Sequence, residues 1–460
     1  MEIRKPGKPQ LRAAIRVLLA GALLAAGTST ASTGEPTAAE NHERMLRLLR
    51  IDDLRRGADG DPASPHAANY DESRANELMP TLPDPLIAND GRPVTDAETW
   101  WRQRRPEIVE HFEREIYGRV PETAPAVHWT VVDESRRSLG GVTVETRALN
   151  GRVDNSAAPG IEVAIALELA VPERSEGAVP VVLELGFDPA VLKGILARFS
   201  EAEIRAFNGG SRDGREQVVA RGWAFAELVA TSIQADSGDG LTQGVIGLAN
   251  SGRQRNPEDG GALRAWAWGV SRAGDYFEQD PRIDAARVAL EGHSRFGKAA
   301  LVAMAFDQRI AAAYISSSGE GGAKLWRRNF GEQIGNIAGR GEFHWVAGNF
   351  LKYAGPLTAA DLPVDAHHLL ALCAPRPVFI GSGTEGDSWV DPKGMFLAAR
   401  AAGPVYELLG RNGLGDAAYP PPGTALVAGD VAWRQHRYGH SPGPNWSYFL
   451  DFAERYFNAD

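Results

Sequence analysis

ARVALEGHSRFGKAALVAMA, residues 286–305, runs from an apolar strand through a tight turn into a helix. The apolar run ends at Gly292. Ser294 follows, then Gly297, and a helical pattern opens at once. Strand, sharp turn and helix in that order are the setting of a nucleophile elbow. Small residues must flank the serine so that the turn can close. The strained turn lifts the hydroxyl above the sheet, and the helix behind it aims N-terminal amides at the same point, where they favour a developing oxyanion. The usual pattern is G-x-S-x-G, whereas here the second glycine comes one residue later. Taken alone, the stretch also fits an ordinary strand-to-helix turn with a serine cap.

Outward from this stretch the texture is that of alternating strands and helices. VPVVLELGF (179–187), WAFAELVAT (223–231), IAAAYISSS (310–318) and PRPVFIGSGTE (375–385) read as short buried strands. GALRAWAWGVSRAGDYFEQ (261–279), KAALVAMAFD (298–307) and WSYFLDFAERYF (446–457) read as helices. Such alternation predicts a mostly parallel sheet covered on both faces. Upstream, AVHWTVVD, GVTVETRAL and IEVAIALELAVP alternate like an antiparallel meander at one sheet edge. TDAETWWRQRRPEIVEHFEREIYG (95–118) predicts a helix capped by Thr95, with Glu98 three residues on. The expected fold is an α/β-hydrolase, a central sheet between two helical layers.

The first residues have another character. Five basic residues (Arg4, Lys5, Lys8, Arg12 and Arg16) precede the short apolar run VLLAGALLAAG. Ser29 and Ala31 supply small side chains for a cut after Ala31. This is the layout of an export signal, and the run is too short to span a bilayer. Residues 1–31 are therefore expected to be a signal peptide, residues 32–80 a partly disordered leader holding one helix in NHERMLRLLRIDDLRR, and residues 81–460 the catalytic domain. No cysteine follows the cut, so no lipid anchor is expected. The mature chain is expected in a periplasm or outside the cell, free of membranes and monomeric. The 460-residue chain carries a net charge of -10, which disfavours nucleic acid as a partner. Cys373, the single cysteine, lies in an apolar run and is expected to be a buried small hydrophobe.

A serine hydroxyl needs a base, and the base an orienting acid, in the chain order serine, acid, histidine on this fold. His436 and His440 lie in WRQHRYGHSPGPNW, a Gly/Pro-rich loop just before the last helix, where the base belongs. His440 is nearer that helix and is the first choice, with His436 in reserve. His344 is given no role, and the adjacent His367 and His368 are expected at the surface or half-buried. The acid should follow the strand PRPVFIGSG, where TEGDSWVDPKG offers Glu385, Asp387 and Asp391. Composition does not choose among them.

GHSRFGKAAL, SGEGGAKLWRRNFGE, DSWVDPKG and RYGHSPGPNW together resemble the glucuronoyl esterases of carbohydrate esterase family 15. The likeness spans roughly residues 80–460, and serine followed by arginine, with lysine four positions after the serine, is its specific mark. Family enzymes cleave the ester between 4-O-methyl-glucuronic acid on xylan and lignin alcohols. The resemblance implies Ser294 as nucleophile, His440 as base, Arg295 as support for the oxyanion, and Lys298, Glu332 and Trp389 as the residues that hold the sugar. Fungal members carry the acid as a glutamate after the sixth strand, where this chain has Ser317. Many bacterial members place it two residues before the tryptophan, which implies Asp387 here, with Glu320, Glu385 and Asp391 as alternatives. Such acyl transfer needs no metal or organic cofactor. A small-acyl esterase acting on acetyl-xylan would use the same triad without Lys298, Glu332 and Trp389. A carbohydrate-binding protein that has lost catalysis is the third reading.

Overall fold

The computed structural model describes residues 34–76, 82–121, 124–175 and 177–458. Residues 1–31, read as an export signal, lie outside them. Among the described residues ten strands form one sheet in the order β1-β2-β3-β5-β4-β6-β7-β8-β10-β9. They are β1 (Val127–Leu139), β2 (Val142–Val153), β3 (Ala164–Pro172), β4 (Val179–Gly186), β5 (Ala224–Val229), β6 (Ile283–His293), β7 (Ile310–Ser316), β8 (Val378–Ser382), β9 (Ala425–Leu426) and β10 (Val431–Gln435). The strands from β5 to β10 along this order run parallel, β1–β3 form the antiparallel meander at one edge, and β9 closes the other edge antiparallel.

Side chains alternate across a strand, so a sheet covered on both faces needs apolar residues at successive positions. β4 does this: Val181, Leu183 and Leu185 join one core, and Val182 joins the other. The first core includes residues of α1 (Ala262–Phe277), α2 (Arg295–Phe306) and α3 (Pro392–Ala401), and the second is closed by α4 (Trp446–Phe457). This three-layer architecture is the α/β-hydrolase fold. β10 had no counterpart in the sequence reading. It pairs parallel with β8 from Val431↔Val378 to Gln435↔Ser382, and this pairing brings the loops that follow the two strands together.

The leader is built into the body. Its helix runs Ala38–Leu49, started by a Thr37–Glu40 capping box and stopped where Arg50 turns left-handed at φ 56°. Met45 and Ile51 are buried, and Asn41 donates to the Gly238 carbonyl at 2.9 Å. Farther along, the Gly331 amide donates to Asn69 at 2.9 Å, the Asn329 amide to Ala75 at 2.8 Å, and Arg328 pairs with Glu72 at 2.6 Å. Apolar burial and main-chain hydrogen bonding hold the described residues 34–76 on the domain.

Two local expectations are also corrected. Asp96, not Thr95, caps the helix that follows, accepting from the Thr99 amide at 2.8 Å, and the stretch contains two π-helical turns, Trp100–Arg104 and Glu113–Tyr117. His367 and His368 are buried, because the His367 Nε2 bonds the Pro83 carbonyl at 2.8 Å and His368 completes a capping box with Asp365. Cys373 is buried, which pushes its thiol up to about 12. Among the described residues no helix is long and apolar enough to cross a membrane.

Candidate active site

Ser294 follows directly on β6 at φ 58°, ψ -125°, a conformation costly for a residue with a Cβ. Its surroundings over-determine it. The Ser294 amide donates to the Ser316 carbonyl on β7 at 2.9 Å, and its own carbonyl accepts from Lys298 at 3.1 Å. A Cβ at Gly292 would lie 2.3 Å from the Phe296 carbonyl oxygen, and one at Gly297 would lie 2.7 Å from that of Ser316. Neither fits. The late second glycine is thus demanded by the close approach of β7. Phe296, in the position the glycine usually takes, packs edge-on against Phe187 and Trp266.

The loops after β8 and β10 are tied by the Thr384 and Glu385 amides, which donate to the Tyr438 carbonyl at 3.0 and 3.1 Å. Across this seam the His440 Nδ1 meets the Asp387 Oδ1 at 2.5 Å. The other Asp387 oxygen accepts from the Gly383 amide and, at 2.8 Å, from the Ser317 hydroxyl. Burial works against the Asp387 charge. The His440 charge and hydrogen bond, with the Gly383 and Ser317 donors, overcome it and hold the carboxyl at about 2. A carboxylate there makes Nδ1 a donor and leaves the His440 Nε2 free to accept a proton. Ser317 stands where the resemblance places the fungal acid, and it serves the aspartate instead.

The alternative residues have other partners. Glu320 is fully buried against Lys324, and burial pushes it up to about 8 despite that charge. Asp391 caps α3 through the Gly394 amide at 2.9 Å and pairs with Arg328 at 2.8 Å. Glu385 is exposed. His436 shapes the loop: its Nε2 donates to the Ser441 carbonyl at 2.8 Å and its Nδ1 accepts from the Tyr438 amide at 3.2 Å.

Arg295 and Lys298 leave the first turn of α2 on the same side and share one aromatic floor. The Arg295 guanidinium stands 5.3 Å and the Lys298 Nζ 5.5 Å from the ring centre of Trp345. Arg295 is also paired with Asp236. That carboxylate accepts from the Trp345 indole at 2.6 Å and from His344 at 2.9 Å. Burial opposes the Asp236 charge, yet the Arg295 cation and these donors hold it well below the usual carboxylate range. Sequence reasoning missed this brace. Asp236 sits in a polar loop far from the serine, and the only signal was the unassigned histidine beside a tryptophan in EFHWV. Lys298 donates to Glu332 at 2.8 Å and to the Glu320 carbonyl at 2.5 Å, and Glu332 also accepts from the Glu320 amide at 3.0 Å. Trp389, half-buried on the Asp387–Val390 turn, accepts from the Glu332 amide through its carbonyl at 2.8 Å. All seven expected residues therefore lie on connected elements: the α2 start, the two loops after β8 and β10, and the 328–336 loop.

A family model described as "Glucuronyl esterase, fungi" matches residues 254–410. A carbohydrate esterase from an unknown prokaryotic organism is 35% identical over 419 residues, covering 86% of this chain and 94% of its own length. 4-O-methyl-glucuronoyl methylesterase 1 of Wolfiporia cocos is 30% identical over 72% of each chain. Among solved structures, a CE15 glucuronoyl esterase from Teredinibacter turnerae is 49% identical, with a TM-score of 0.87, over 92% of this chain and 100% of its own.

Proposed function

Because the chain belongs to carbohydrate esterase family 15, the glucuronoyl esterases, we propose that it is an exported enzyme cleaving 4-O-methyl-glucuronoyl esters that join glucuronoxylan to lignin alcohols, through Ser294, His440 and Asp387. The observation that carries the mechanism is the Asp387–His440 pair beside a strained serine elbow.

Ser294 Oγ attacks the uronoyl carbonyl carbon while His440 Nε2 takes its proton. Asp387 holds Nδ1–H and stabilises the imidazolium that forms. Negative charge moves onto the carbonyl oxygen, where the amides at the start of α2 and the Arg295 guanidinium receive it. The intermediate collapses and breaks the ester C–O bond. The alcohol leaves with the proton from His440, and the uronoyl group remains on Ser294. Water, activated by the same histidine, then attacks the acyl-enzyme and releases the free uronate. Lys298 and Glu332 offer a charged pair to the sugar hydroxyls, and Trp389 offers a ring face to the pyranose. The substrate ester is uncharged, so the acidic chain does not repel it. Export rests on the N-terminal pattern of residues 1–31. Brief incubation of the enzyme with benzyl glucuronate, followed by acid quench and peptide mass analysis, tests the route. A uronoyl adduct on the Ser294 peptide supports it, and an adduct elsewhere, or turnover by Ser294→Ala, overturns it.

A further inference from the structure

His293 sits between Gly292 and Ser294, and no step above uses it. It ends β6 in register with Ser316 of β7, half-buried, and its Nδ1 lies 3.0 Å from the Ser316 Oγ. Its ring packs at a tilt against that of His440, with centroids 4.2 Å apart and planes inclined by 53°. Burial holds its pKa well below the ordinary imidazole value. His440 and His436 push it the same way, while Asp387 and a hydrogen bond to the His440 main chain act against them. His293 is therefore an uncharged aromatic ring laid against the base.

That contact answers a mechanical need. Asp387 holds the His440 ring at Nδ1, and small rotations about its side-chain bonds can still move Nε2. A second ring packed against it restricts those rotations. A protonated His293 would repel the imidazolium that His440 becomes in the proposed cycle, and a pKa held well below the ordinary value keeps His293 neutral.

We propose that His293 is a positioning residue of the ester hydrolysis: anchored on Ser316, its ring buttresses His440 and fixes the direction of Nε2 toward Ser294. The inference rests on the reading of His440 as the base. Three variants separate its parts. His293→Ala removes ring and hydrogen bond, His293→Asn keeps a polar group toward Ser316 without the ring, and His293→Phe keeps the ring without the hydrogen bond. Each is read by kcat and KM on benzyl glucuronate. In the substrate-free protein each is also read by the low-field proton resonance of the Nδ1–H bond between His440 and Asp387. The Ala and Asn variants should lose about ten- to a hundredfold in kcat with KM within about twofold, the scale of a misaligned reacting group, while Phe stays within about threefold of wild type. The resonance should stay sharp in wild type and Phe and broaden in Ala and Asn. Wild-type kcat with a sharp resonance in Ala or Asn overturns the proposal, as does a Phe variant as slow as Ala. If His293→Ala proves unstable, the Asn–Phe pair decides by the same criteria. A wild type inert toward benzyl glucuronate, with the resonance pattern as expected, removes the substrate reading and supports the role of His293.

Discussion

Asp387→Asn should abolish turnover while leaving the site assembled, because the donors around it force the new amide into one orientation. The oxygen now facing the Gly383 amide and the Ser317 hydroxyl must stay an acceptor, since the Gly383 N–H cannot accept. The amide carbonyl therefore takes that position, and the NH₂ group turns to His440. An NH₂ donor there makes the His440 Nδ1 an acceptor and moves the ring proton to Nε2. Ser294 then meets a donor where it needs a base. The wrong tautomer in a Ser-His-Asp triad costs about ten-thousandfold in kcat, or about 5 kcal/mol of barrier. KM should change little, because no substrate contact is touched. The same change flattens the acid limb of stability. A carboxyl held at about 2 when folded, against an ordinary 3.8, lends stability that is present above the ordinary value and lost as pH falls through about 2. The assay is kcat and KM on benzyl glucuronate beside thermal melting from pH 2 to pH 7. If Asp387→Asn keeps more than about a tenth of kcat, the triad assignment is wrong, and Glu385→Gln and Asp391→Asn become the variants to compare.

The other predictions concern the sugar wall, the oxyanion and the sheet. Glu332→Gln weakens the charged pair proposed to hold sugar hydroxyls, so kcat/KM on benzyl glucuronate should fall about ten- to a hundredfold while that on 4-nitrophenyl acetate stays within about threefold; equal losses on both esters would reject a sugar-holding role. Arg295→Met removes the guanidinium proposed to receive the oxyanion and should lower kcat about a hundred- to a thousandfold. It also strips Asp236 of its cation, so a melting curve must accompany the rates, and an unchanged kcat in a folded variant would refute the role. Glu184, on β4, lies in register with Glu227 on β5 and Glu291 on β6, and burial together with the Glu227 charge pushes it up to about 8. A raised carboxyl lends stability that is complete below its ordinary 4.5 and is lost as pH rises through about 8. Glu184→Gln should therefore melt higher than wild type at pH 8.5, with the gap shrinking or reversing by pH 4.5. A pH-independent gap would contradict this.

The legible parts of the molecule were those written in local pattern. The β6–Ser294–α2 stretch announced itself because a strand, a serine between small residues and a helix are contiguous in the chain. The histidine loop was legible because Gly, Pro and two histidines precede an amphipathic last helix. The acid was not legible from the residues, since three carboxylates share one loop. Only the fold separates them: Asp391 turns to cap α3, Glu385 points to solvent, and Asp387 turns inward to the Gly383 amide. β10 was missed because VAWRQ is five residues long and ends in Arg434 and Gln435, which read as loop. The leader's hold on the domain was not legible in its Ala, Ser, Gly and Asp content. Its hold on the domain comes from Met45, Ile51, main-chain hydrogen bonds and the Glu72–Arg328 pair, whose partners lie far away in sequence. Asp236 was invisible for the same reason, because a brace on Arg295 exists only once the chain has folded.

The proposed role of Ser294 in hydrolysing a uronoyl ester is tested most directly by kcat/KM on benzyl glucuronate and on 4-nitrophenyl acetate for wild type and Ser294→Ala. Wild type should strongly prefer the glucuronate ester, and the variant should cleave neither. A preference for the acetate, or glucuronate cleavage that survives in Ser294→Ala, would contradict that role.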